Sequence, residues 1–464
     1  MNAPTPGPRI TRERLVFLLL TCVYAAVFAW TYARFTFDQY GYLGFGYRGA
    51  DPSHLLRYFV LALIPAALMP VTIRRPSQIF LYIQFFLVYI PALWMVSHSA
   101  LPVLPPGQQA QLLLALLAGM LILLWALRSW KLLSIPRIEI PERLTWTIVY
   151  AGAAGCLALL FVLFQGQFQL INLREIYVVR YAASETLEAA DSHAGAYAFS
   201  WLVSLFLPLL FVRGLARASL LVLAGVIAAY VFLFGIWGSK TALVAPLLLI
   251  GGHWFASQPP ARMPLVFVVA LVVVLLVPFA LPFEDGLGNL VRTFWIGIVH
   301  MRTFAVPGLA FVQYVGFFGD HPITFGSHIT GLNLLLPYPY DYDIPRTIGY
   351  HYYGDLMTAN ANFWTQDGIA GFGLVGIVGM SLVAAAVLCV LDSVTRHLSP
   401  KVVLTALVGV LVTFANVSLF TSLLTGGLGL FMLLCLLLPA DAARNDAARA
   451  AVPSDPVSVL KGSG

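Results

Sequence analysis

Charge is what this chain has least of. Asp, Glu, Lys and Arg make up 10% of its 464 residues, against 60% hydrophobic residues, and the mean hydropathy is +0.87. A soluble domain cannot cover its surface with so few charges. Cysteine is scarce as well. Cys22, Cys156, Cys389 and Cys435 all fall inside apolar runs, so neither a disulfide framework nor a thiolate metal site is readable from them. No His/Cys set has zinc spacing, and His321, His328 and His351 are too scattered to claim a metal. A serine-hydrolase elbow and a glycine-rich nucleotide loop are both missing.

What the chain has is apolar runs long enough to cross a bilayer. Stretches near the roughly 20 residues that span about 30 Å of hydrocarbon are Leu15–Ala33, Leu55–Ile73, Ile79–Val96, Ala110–Leu127, Thr145–Phe164, Gly195–Val212, Ala218–Trp237, Ala242–Ala256, Pro264–Pro282, Gly368–Leu391, Val402–Val417 and Leu419–Leu438. The expected fold is therefore an all-α polytopic membrane protein of about twelve transmembrane helices. The least regular are the short run after Lys240 and the close pair around Asn416, where a re-entrant hairpin would serve equally well. Leu287–Phe318 is apolar enough for one or two embedded or re-entrant helices, although Arg292, His300 and Arg302 disfavour ordinary lipid-facing spans.

The basic residues set the orientation. Arg9, Arg12, Arg14, Arg74, Arg75, Arg128, Lys131, Arg137, Arg143, Arg213, Arg217, Arg262, Arg396 and Lys401 all fall in alternate connections, the side that the positive-inside rule makes cytoplasmic. Both termini are then cytoplasmic, and the first run is long enough that no cleavable signal is expected. The formal charge of +6 follows from this bias and does not point to nucleic acid. Residues 1–439 form a transmembrane domain in which 283–367 is a large outer loop with short helices, and 440–464 is a tail expected to be disordered.

The cations left outside require a reason, because insertion disfavours them there. Arg34, Arg48 and Arg57 read as solvated or ion-paired surface charges, with no chemistry placed on them. Arg174 and Arg180 lie on an amphipathic segment where lipid-phosphate snorkelling and binding of a lipid-linked anion are equally served. Lys240 follows Gly238-Ser239 in a very short connection, where an ammonium needs water or an anion. Arg292 and Arg302 would be about 15 Å apart on one continuous helix, so a break at Gly297 or two separate anionic groups is expected. Guanidinium suits phosphate because its planar fork binds bidentately and stays charged.

The outer stretch holds further polar candidates. Across Pro337–Asp343 tyrosine alternates with proline and aspartate, as Tyr338, Tyr340, Asp341, Tyr342 and Asp343 show, a composition that can hold sugar rings by stacking and hydroxyl hydrogen bonds, or sit as an aromatic belt at the headgroups. Asp320, His321, His351, Asp355 and Asp367 are eligible general bases. Asp367 immediately precedes an apolar run and is read first as the N-cap of that helix.

Taken with the topology, the Arg180 segment, Gly238-Ser239-Lys240 opening a span, the Arg292/Arg302 segment and Asn360-Ala361-Asn362-Phe363-Trp364-Thr365-Gln366-Asp367-Gly368-Ile369-Ala370-Gly371 resemble the Wzy-type O-antigen and exopolysaccharide repeat-unit polymerases. Two departures are visible. The family often has Arg where Lys240 stands, which costs the bidentate fork, and a Phe commonly separates the aspartate and glycine matched by Asp367-Gly368. The resemblance implies a GT-C-like, metal-independent glycosyltransferase of the bacterial inner membrane with no cofactor. It implies undecaprenyl-pyrophosphate-linked oligosaccharides as donor and acceptor and a chain-length regulator as partner. Arg180, Lys240, Arg292 and Arg302 are then the candidates for the leaving pyrophosphate, and Asp320, His321, His351 and Asp355 for the base. An O-antigen ligase would share all of this except the acceptor. A transporter or flippase of lipid-linked glycan predicts charges inside the spans and a midplane site.

Overall fold

A computed structural model describes residues 11–49, 51–98, 104–165, 168, 179–180, 182–183, 185–186, 193–281, 286–354 and 357–440. Among these residues the chain is helical with no strand, and ten helices are long and apolar enough to cross a membrane. Leu19, Trp30, Leu114, Phe161, Leu221 and Val273 project from these helices fully or half exposed, an apolar rim suited to hydrocarbon and costly in water. The chain is a multi-pass helical membrane protein.

The ten differ from the expected dozen for identifiable reasons. Pro52–Ala66 is a 15-residue helix and Lys240–Ala256 has 17 residues, both short for a span. The run 402–417 is divided between Pro400–Ala406 and Val408–Phe414. A helix not counted among the spans, Gly288–Asp320, is added.

The direction of the helices follows from their aromatic contacts. Helix α1 (Arg12–Thr31) places Phe17 against Tyr82 and Phe86, and the adjoining Tyr32 against Trp94, so the helix Pro76–His98 runs parallel to it. Met263–Ala280 runs the same way, with Tyr82 against Phe267 and Trp30 stacked on Phe279 at 4.4 Å. Each of these begins at one end of the bundle, called here the basic end, and finishes at the other, the far end.

The basic end deserves its name. Arg14 donates to the carbonyls of Ala66 and Met69. Arg213 and Arg217 both reach Glu142, at 2.7 and 2.9 Å. Ser77 donates from its amide and hydroxyl to Asp392 at 2.9 and 2.6 Å. These contacts tie connections that the sequence assigned to one side, and they satisfy charges and helix ends where apolar flanks cannot.

Gly288–Asp320 lies differently. Arg292 at its start contacts Pro278 and Phe35, while Gln313 near its finish contacts Tyr353, whose hydroxyl reaches Leu43. All of these belong to the far end. Its middle dips toward Tyr24 through Phe304. Thirty-three residues amount to about 50 Å of helix, too long for a perpendicular crossing, and the contacts show a helix laid obliquely across one end. Of the alternatives expected for Leu287–Phe318, one or two embedded or re-entrant helices, the structure has a single continuous helix.

Candidate functional site

The second departure from a simple span forms the centre of the site. Trp364–Val394 is broken at Phe372 (φ −144°, ψ 17°) and Gly373 (φ 63°, ψ −151°). The left-handed region at Gly373 admits glycine at little cost. The two arms, 364–371 and 374–394, then run back to back: Trp364 donates through Nε1 to Ser381 Oγ at 2.7 Å, and Gly368 packs on the backbone of Gly376. A Cβ at Gly376 would stand 2.0 Å from the Gly368 carbonyl oxygen, so the hairpin closes only because both positions lack side chains.

The first arm is fixed at depth by the Asn-rich approach. Asn362 donates to Gln84 Oε1 at 2.7 Å and accepts from the Trp364 amide at 2.9 Å, while Gln366 Oε1 accepts from the Ala361 amide. The chain therefore descends from the far end to the level of Gln84 and rises again as residues 364–371.

This placement corrects the reading of Asp367. It does not cap the helix that follows it, since that helix starts beyond Gly373. Asp367 is fully buried, and its carboxyl group caps a different segment: Oδ1 accepts from Ser418 Oγ at 2.6 Å and Oδ2 from the Leu419 amide at 2.7 Å, at the start of Leu419–Leu423. A helix N-terminus and two donors offset much of the cost of burying the group.

His328 meets Asp367 from the polar stretch that precedes it in the chain. It belongs to a turn tacked to the end of the hairpin, where Thr324 donates from its amide and its hydroxyl to the Ala370 carbonyl at 2.8 and 3.0 Å. The same hydroxyl lies 2.6 Å from His328 Nδ1, which orients the imidazole. Within this turn Phe325 adopts φ 51° and Gly326 φ 87°. A bulky residue in the left-handed region costs about 1–3 kcal/mol and clusters at functional sites. His328 Nε2 then faces Asp367 Oδ1 at 3.7 Å, and it has no hydrogen-bond partner among the described residues.

A polar cleft opens onto this pair. Its polar lining is Tyr197, His328, Thr330, Gln366, Asp367, Ser418, Thr421 and Thr425, with Ile329, Phe420 and Leu424 beside them, and it encloses a cavity of about 60 Å³, enough for a few waters or a hydroxyl-bearing fragment. A hydroxyl oxygen placed about 2.8 Å from both Nε2 and Oδ1 satisfies hydrogen-bond geometry. The arrangement can take a proton from such a group.

The other residues singled out from sequence lie away from this pair. Asp320, His321 and His351 come together at the end of Gly288–Asp320: His321 stacks on Phe317 at 4.0 Å, and its ring lies 5.4 Å from that of His351. All three are exposed. Partial desolvation of the His351 ring among its neighbours and the adjacent His321 hold its pKa below the ordinary imidazole value, and Asp320 opposes them. Asp355 falls outside the described residues.

Among the aromatic set, the Tyr338 hydroxyl donates to the Tyr342 carbonyl at 2.6 Å and that of Tyr340 to the Pro322 carbonyl. Both hold the loop together. Asp343 pairs with Arg346 at 3.6 Å at the start of Ile344–Tyr353, and Asp341 and Tyr342 are exposed.

The cations do not converge on one point. Gly297 makes no break; the chain passes from α to π helix at Ile296 and back at Val306. Arg292 is buried with its guanidinium 5.4 Å over the Phe35 ring and Nε donating to Pro278 at 3.2 Å. Lys240 Nζ stands 5.3 Å over Phe294. Positions 292 and 294 are about 200° apart around a helix, so the two cations address opposite faces. Arg302 is exposed farther along the same helix, and Arg180 is exposed on a short helical stretch.

In the sequence, His328 was visible only as one of three scattered histidines, and Asp367 as an eligible base read first as a helix cap. The strongest available signal was the aspartate itself, placed beside an apolar run and preceded by Asn362 and Gln366. Among the described residues, no three of His, Cys, Asp and Glu gather as a metal-holding group. Compared with family models, with curated proteins and with solved structures, the chain gave no match.

Proposed function

We propose that this protein is a membrane glycosyltransferase that extends a glycan carried on polyprenyl pyrophosphate, acting as a repeat-unit polymerase. One observation carries the reading: an acid fully buried within the helical bundle, 3.7 Å from a histidine, at the foot of a polar cleft. Ionisable groups at such depth are costly and mark sites by default. A polar cleft beside them suits hydroxyl-rich ligands, which is what a glycan presents.

In this reading the chain crosses the inner membrane about twelve times with both termini in the cytoplasm, and the cleft lies toward the outer side. The acceptor hydroxyl enters between His328 and Asp367, its proton passes to that pair, and its oxygen attacks the anomeric carbon of the donor chain. The carbon–oxygen bond to the pyrophosphate breaks with both electrons on the leaving group. General-base assistance of this kind contributes about 10²–10⁴-fold. This reading assigns Lys240, Arg302 and Arg180 to the leaving pyrophosphate, where fixed cations lower the barrier as charge develops. Arg292 supports the helix that carries Arg302.

The decisive experiment is deletion of the gene in its host, followed by electrophoresis of surface glycan. Loss of the long-chain ladder with single repeat units retained is the expected result. Unchanged chain length overturns the reading, and loss of attachment of every glycan, single units included, assigns a ligase instead.

A further inference from the structure

The far end of the bundle carries a second polar cluster, remote in sequence from the His328–Asp367 cleft and given no role by the sequence. Pro52–Ala66 presents His54, Arg57 and Tyr58 at i, i+3 and i+4, and Pro76–His98 presents Trp94, Ser97 and His98 at the same spacing, so each trio shares one helix face. The faces meet: Tyr58 lies 5.3 Å from Trp94 and 6.4 Å from His98, and His54 lies 6.0 Å from His98.

Trp94, Ser97 and His98 are all more than nine-tenths buried. Yet Trp94 Nε1, Ser97 Oγ, His98 Nε2 and Arg57 Nε and Nη2 have no hydrogen-bond partner among the described residues. Leaving so many polar atoms dry is expensive, and native structures rarely do it without a ligand or ordered solvent. The nearby acid does not satisfy them, because Asp51 Oδ1 accepts from Ser53 and His54 at the helix start.

The identity of the atoms defines a ligand. Nε and Nη2 form the edge of guanidinium whose two N–H bonds run parallel, the fork that grips an oxyanion bidentately. Trp94 adds a third N–H. His98 Nδ1 lies 3.2 Å from the Trp94 carbonyl, which can only accept, so Nδ1 carries the proton and neutral Nε2 accepts. The cluster thus offers three donors, one acceptor and a serine hydroxyl that serves either way. We propose that it binds a phosphate group that carries, or stands beside, a hydroxyl. Free hydrogen phosphate and a glycerol-phosphate lipid headgroup share this chemistry.

The full-length protein in an uncharged detergent would be titrated with inorganic phosphate and, separately, with short-chain phosphatidylglycerol, reading the thermal midpoint. A saturable rise with phosphate assigns a soluble ligand, and a rise with the lipid alone assigns a headgroup. Arg57→Gln should then need about tenfold more ligand for the same rise, the scale of one lost charged hydrogen bond, and Ser97→Ala several-fold more. The nearly isosteric serine variant carries the test if Arg57→Gln does not elute as a folded species. No response of the wild type to either ligand overturns the site, as does a wild-type response from both variants. Neither result bears on glycan elongation.

Discussion

His328 Nε2 lies 3.7 Å from Asp367 Oδ1, while both oxygens of Asp367 are held by the Ser418 hydroxyl and the Leu419 amide. The aspartate is therefore both a cap and a candidate proton acceptor, and two substitutions separate the roles. Asp367→Asn keeps an oxygen for the Leu419 amide but loses the acid, so under the proposed function glycan elongation should fall about 10²–10⁴-fold with the protein still accumulating. Asp367→Ala removes both acceptors and should also lower stability by about 1–3 kcal/mol. Chain-length gels and thermal midpoints in detergent read the two effects, and wild-type chain length in Asp367→Asn would remove Asp367 from the chemistry.

The hairpin that presents Asp367 depends on two glycines. Gly376→Ala places a methyl group 2.0 Å from the Gly368 carbonyl oxygen, a backbone atom that cannot step aside, so the arms must separate. Destabilisation of about 2–4 kcal/mol is expected, the scale of severe overpacking. Gly379→Ala is the control, since a Cβ there meets nothing within 4 Å. Equal midpoints for the two variants would show that the arms do not pack as described.

How much of this was legible beforehand depends on which forces act locally. Hydropathy period and basic-residue placement are local properties, and they delivered a helical membrane bundle whose basic connections gather at one end, as Arg14, Arg213, Arg217 and Asp392 demonstrate. The reversal at Phe372–Gly373 was hidden, because the same apolar residues suit one long helix or two antiparallel arms, and glycine alone does not announce a turn. Asp367 was accordingly given to the wrong helix. Its true partners lie 51 and 52 positions away, and His328 reaches it from the preceding polar stretch. Arg57 was read as a surface charge because nothing in its neighbourhood along the chain indicates that its helix packs against Trp94 and His98 through His54 and Tyr58.

The His351 pKa supplies a pH signature. Partial desolvation and the neighbouring His321 depress it, and Asp320 partly restores it. A histidine whose folded pKa lies below its unfolded value binds fewer protons when folded, so its contribution is neutral at high pH and destabilises as pH falls below about 6.5. His351→Gln should therefore narrow the loss of thermal midpoint between pH 7.5 and pH 5 relative to wild type. His321→Ala should raise the His351 titration midpoint and Asp320→Asn should lower it. Opposite directions in an NMR titration would mean that the three side chains do not interact as placed.

Arg292 and Arg302 sit on one helix yet should fail differently. The Arg292 guanidinium is buried over Phe35 and donates to the Pro278 carbonyl, so Arg292→Ala leaves that carbonyl short of a donor and opens a void against the aromatic ring. A loss of about 2–4 kcal/mol is expected, with reduced accumulation. Arg302 is exposed, and surface substitutions stay within about 0.5 kcal/mol, so Arg302→Ala should accumulate normally. If its charge serves the leaving pyrophosphate, elongation falls at unchanged protein level, and Arg302→Lys recovers part of it because the charge remains while the fork is lost. Parallel immunoblots and glycan gels distinguish the cases. Full elongation by Arg302→Ala would confine the pyrophosphate role to Lys240 and Arg180.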